Sequence, residues 1–106
     1  MKERAKPVEV GARTGPPDHP RVERVKRHSG MVKASCDPEQ GALCYLFQQG
    51  TDPDHPEAWG PPVMASGSTF KVSGLPIGQM TCFRIAVVRR GSITGAWSAV
   101  LQVFVR

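Results

Sequence analysis

No unbroken apolar stretch in these 106 residues reaches the length a membrane helix needs, so no helix here spans a bilayer. There is no CxxC pair, and no histidine lies at finger spacing to Cys36, Cys44 or Cys82, which argues against a zinc site. Three cysteines are an odd number, so at least one thiol stays unpaired in a monomer. That usage fits a reducing, cytoplasmic compartment slightly better than a disulfide-built secreted domain, although it leaves an extracellular one open. The start, MKERAKPVEV, is basic but has no apolar segment behind it, so it does not read as a secretory signal. G-x-S-x-G, H-E-x-x-H and Gly-rich phosphate loops are all missing. The chain therefore reads as no enzyme, with no cofactor and no metal. No window of a dozen residues has clean 3.6-residue periodicity, which leaves little room for long helices.

What is plentiful is punctuation. Ten prolines and eleven glycines suit many short strands joined by turns. Charge is uneven. Residues 1–33 hold nine Lys/Arg against four Asp/Glu, whereas residues 34–106 hold five against five. Residues 1–17 read as a Pro/Gly-rich basic linker and residues 18–106 as one domain. A basic leader can also bind nucleic acid or an anionic surface, but nucleic-acid modules usually add aromatic platforms or a recognisable motif.

Along the domain, alternation marks about seven strands. Arg21 to Lys26 is the first, with Val22 and Val25 touching the core at a spacing that suggests a bulge. MVKASC turns Val32, Ala34 and Cys36 inward. ALCYLFQQ turns Leu43, Tyr45 and Phe47 one way and Cys44, Leu46 and Gln48 the other. Residues 50–66 read as a long irregular middle in which Trp59 lids one end of the core. STFKVSGL supplies Phe70, Val72 and Leu75. GLPIGQMTCFRIAVV then offers Thr81, Phe83, Ile85 and Val87 on one face, the signature of a central strand buried on one side. Residues 89–95, RRGSITG, form a hairpin-type loop, and AWSAVLQVFV ends the chain with Trp97, Leu101, Val103 and Val105 together. Such spacing predicts an all-β, seven-stranded antiparallel β-sandwich.

These segments resemble the fibronectin type III domain, an immunoglobulin-like sandwich. The resemblance runs from about Pro17 to Val105 through MVKASCDP, GALCYLFQQ, the STFKVSGLPIG corner, TCFRIAVV and GAWSAV. It departs from the family at two places. Cys36 stands where a core tryptophan is usual, and Thr81 where a corner tyrosine is usual. Trp97, Tyr45 and Phe83 are expected to fill the missing volume. The basic leader is similar to the connection ahead of such domains in small bacterial proteins, which implies one part of something longer.

The resemblance implies a non-catalytic module for protein–protein contact or spacing. Its outward face is expected to show Cys44, Leu46, Cys82, Ala86, Val100 and Phe104, an apolar surface that suits a protein partner, self or other. The candidate contact residues are Leu46, Phe104, Trp59, Arg89 and Arg90. Arg90-Gly91-Ser92 lacks the carboxylate that an integrin-type Arg-Gly-Asp offers to a metal, and Arg89-Arg90 reads as an ordinary solvated loop tip. Asp18-His19-Pro20 and Asp54-His55-Pro56 read as turns rather than as a shared metal site. Trp97 reads as a core or rim residue, with Arg84 or Arg90 stacked on it. Two other functions stay open: a nucleic-acid or anionic-surface binder using the leader, and an accessory module of an extracellular carbohydrate-active enzyme, with Trp59 as the glycan contact.

Overall fold

The structure, a computed structural model, describes residues 15–90 and 96–106. Most of the leader and residues 91–95 of the predicted hairpin-type loop, including Gly91 and Ser92, lie outside the described residues. Among the described residues there are seven strands and no α-helix. They are β1 (Arg21–Arg24), β2 (Val32–Ser35), β3 (Ala42–Gly50), β4 (Val63–Ala65), β5 (Thr69–Val72), β6 (Met80–Arg89) and β7 (Leu101–Phe104). All pairings are antiparallel, in a three-stranded sheet β1-β2-β5 and a four-stranded sheet β4-β3-β6-β7.

The alternation in each strand sends one set of side chains into the space between the sheets. From β2 these are Val32 and Ala34, with Cys36 just beyond the strand. Tyr45, Phe47, Phe83, Ile85 and Val87 face them from the other sheet, and Leu75 and Val105 close the ends. β2 thus gives small side chains to a core whose larger ones come from β3, β6 and, at Phe70, β5. Phe47 and Phe70 stack across the gap with centroids 5.2 Å apart. Tyr45 and Phe83 fill the core as expected, and the Tyr45 hydroxyl accepts a 2.8 Å bond from the Glu39 N–H. A hydroxyl tie is therefore present, supplied from β3 rather than from the start of β6.

Four local expectations change. Leu43 is 57% exposed instead of inward. Ala42 pairs with Arg89 and Cys44 with Val88, so Leu43 is the extra residue of a bulge and is turned out of the alternation. Residues 63–65, read as irregular, form β4 on the edge of the larger sheet. Its three residues directly follow Pro61-Pro62, too short and too proline-bound for a periodicity to show. In the first strand, Val25 lies past the end of β1, and its N–H donates to the Met31 carbonyl at 3.0 Å to close the turn. The three-residue spacing reflects a strand end, not a bulge.

Trp97 leaves the face of Leu101, Val103 and Val105. Ser98 pairs with Ile85 through its N–H and, at its Oγ, accepts the Ile85 N–H, while Leu101 pairs with Phe83. Three steps on one strand against two on the other reverse the parity ahead of β7.

At the end of the sandwich where β1 turns into β2, Gly30 has φ +74, a conformation side chains seldom adopt. Its N–H donates to the Arg106 carbonyl and its carbonyl accepts the Leu75 N–H. This one residue joins the β1–β2 turn, the β5–β6 turn and the end of β7.

Candidate functional site

On the outward face of the β4-β3-β6-β7 sheet the register aligns Met64 with Leu46, Leu46 with Ala86, and Cys44 with Val88. Farther along lie Gln48 with Arg84, Cys82 with Gln102, and Met80 with Phe104. Arg84 is the single charged side chain among these strand positions, and it is already engaged. Its guanidinium lies 4.5 Å from the Trp59 ring centre and 4.6 Å from that of Trp97. Its Nε donates to Gln48 Oε1 at 2.7 Å, and Gln48 Nε2 donates to the Gly60 carbonyl at 2.7 Å. Each cation–ring contact contributes about 0.5–2 kcal/mol, more as the cation loses water.

Trp59 is therefore not a lid over the core. The 3-10 turn Pro56–Ala58 folds the β3–β4 connection back, and Trp59 bridges to Gly50 on the outside of the sheet. The position needs glycine at 50, because a Cβ there would come within 2.8 Å of the Trp59 ring. Gly50→Ala is expected to push the indole off Arg84 and lower stability by about 1–3 kcal/mol. Urea unfolding followed by tryptophan fluorescence reads both changes.

Cys82 and Ala86, expected to be exposed, are buried. They flank Arg84 on β6; Cys82 pairs with Gly50, against which the Trp59 ring packs, and the small Ala86 pairs with Leu46. On this face Met64 is 69% exposed beside a half-buried Leu46, and Phe104 is 45% exposed opposite an exposed Met80; Val100 is exposed as well. Leu46 and Phe104 thus stand on the outward face as read from sequence.

The arginine pair divides as well. Arg90 is exposed. Arg89 is 6% exposed and binds Glu39 through two nitrogens, at 2.5 Å and 2.8 Å, so it is not a solvated loop tip. The hydrogen bonds to Glu39 raise the Arg89 pKa above its usual value and hold the guanidinium charged. Sequence alternation could not reveal this, because the partner lies fifty residues away in a loop.

The remaining chemistry is local. His19 pairs with Asp37 and His55 with Asp52, so the two Asp-His-Pro tripeptides do not share a site. Asp37 is held below the usual carboxylate range by hydrogen bonds from His19 and then Arg21. All three cysteines are free. Burial pushes the Cys36 thiol up to about 11 and raises that of Cys82, which keeps both protonated and unreactive at neutral pH. Beside the apolar face, a groove of about 490 Å³ opens between β4 and β5 over Phe47, Phe70 and Val63.

No family model and no curated protein matches the sequence. Solved structures do match. An Fn3-like protein from Clostridium thermocellum has a TM-score of 0.70 at 13% identity, over 84% of this chain and 90% of that one. The fn3 domain of human contactin 1 has a TM-score of 0.69 at 14% identity, over 87% and 77%. A β-1,2-glucanase from Parabacteroides distasonis has a TM-score of 0.62 at 10% identity, over 82% of this chain and 12% of that one. With its two antiparallel sheets and strand order, the chain has the fibronectin type III fold.

Proposed function

We propose that this chain is a non-catalytic interaction module that docks a protein on the outward face of its four-stranded sheet, with residues 1–17 as a tether. One observation carries the reading. The outward strand positions hold a single charge, Arg84, clamped between two indoles, while Met64 and Phe104 stand in solvent. Water gains from covering such a surface, and no unpaired ion has to be desolvated to do so. A second copy of the chain is the simplest partner, since an apolar face complements itself about a two-fold axis. Arg90, exposed, would contact the rim, whereas Arg89 serves the fold through Glu39. Stacking of Trp59 on Arg84 weighs against a glycan platform at that residue.

The test is light scattering of the full chain over a range of concentrations. Leu46→Ala and Phe104→Ala are each expected to weaken self-association about tenfold, the size of an ordinary hot-spot loss, with unchanged thermal unfolding. A chain that stays monomeric at every concentration, unaffected by either substitution, would rule this face out as the contact.

A further inference from the structure

The other sheet carries a cationic cleft that the apolar-face reading does not use. Arg24, Lys26, Arg27, Lys33, Lys71 and Arg106 line a concavity of about 870 Å³, with His28 beside them and Glu23 as its one acidic side chain. The register explains how residues so far apart in sequence meet. Glu23, Lys33 and Lys71 form one row across β1, β2 and β5. The β1–β2 turn supplies Lys26 and Arg27, and the Gly30 bond to Arg106 brings the end of β7 to the same place.

Two features set this apart from a solvated face. Lys33 and Lys71 stand directly opposite each other, a pairing in which like charges are destabilising. Among the described residues Glu23 reaches only Lys33, at 3.3 Å, and no carboxylate pairs with Arg24, Lys26, Arg27, Lys71 or Arg106. The turn is also held in a costly conformation, since Arg27 has φ 65 without being glycine. Repulsion and strain thus meet around one concavity, where a bound anion would relieve the first.

We propose that this cleft binds a small ligand carrying two or more phosphate groups close together. Its cations converge from the sheet face, the turn and the chain's end, which suits a compact anion better than a rod-like polymer. Its volume is in the range of small-molecule sites, about 300–1,000 Å³. No Phe, Tyr or Trp lines it to stack a base, and Val25, half-buried, is its one large apolar residue, too little to enter a bilayer.

Calorimetric titration of the full chain with inorganic tripolyphosphate at low salt tests the proposal. One saturable site is expected, weakened about tenfold by Lys71→Glu through loss of a charge-assisted contact. Arg90→Glu changes the net charge equally at the far end of β6 and is expected to leave binding unchanged. Thermal melts of both variants establish that each is folded. Absence of saturable binding would overturn the proposal, as would equal weakening by the two substitutions. Tighter binding to duplex DNA, or to phosphatidylcholine vesicles containing phosphatidylinositol bisphosphate, at equal phosphate concentration would assign the cations to a polymer or a membrane surface and also overturn it.

Discussion

Phe83→Ala is expected to cost about 3–5 kcal/mol, much of the stability of a domain this size. The reason lies in how the core divides its volume. Phe83 is fully buried in the middle of β6, and β2 brings to the same core only Val32 and Ala34, with Cys36 just past the strand. Side chains that short cannot swing into the space a ring leaves, so the cavity remains open and its walls lose their dispersion contacts. Thermal unfolding should show Tm lower by more than about 12 °C. Phe83→Leu keeps most of the volume and should cost about 1.5 kcal/mol or less. An alanine variant within 1 or 2 °C of the parent would mean that the two sheets do not meet at this residue.

Glu39→Ala should destabilise the fold by about 3 kcal/mol, because it strands the Arg89 guanidinium in a place closed to water. The two-nitrogen geometry makes the loss larger than for an exposed pair, and both side chains are shielded, at 6% and 10% exposure. Replacing both partners by methionine removes the charge together with its counter-charge and should recover most of that loss. A double-mutant cycle in urea reads the coupling directly. Simple additivity of the two single substitutions would show that the pair does not form. Glu39 also donates its backbone N–H to Tyr45, so the loop ahead of β3 is held at two points; losing the carboxylate should loosen that loop first.

Strand identity was legible because it depends on neighbours in the chain. Thr81, Phe83, Ile85 and Val87 alternate without interruption, and all four are buried. Where one residue is inserted, the same logic fails by a whole face. Alternation alone puts Leu43 and Trp97 inward, yet each stands outside, since a bulge changes parity without leaving a mark in composition. The candidate site was legible to the same degree. Leu46 and Phe104 lie on the outward face as alternation places them, while Cys82 and Ala86 on the same face are buried, which depends on neighbours outside their own strand. Arg84 stacked on Trp97 was anticipated from sequence, and the second indole, Trp59, was not.

By itself the sequence determined that this chain would build short antiparallel strands around a dry interior, because a two-residue period and frequent Gly and Pro are local properties of the backbone. Tertiary structure alone decided which charges would meet. It paired Arg89 with Glu39 across fifty residues, clamped Arg84 between two tryptophans, and gathered six cations from β1, the β1–β2 turn, β2, β5 and the segment after β7 into one cleft. Coulomb energy follows distance in space, and distance in space is set by sheet register, which no stretch of chain specifies before its partner strand has docked.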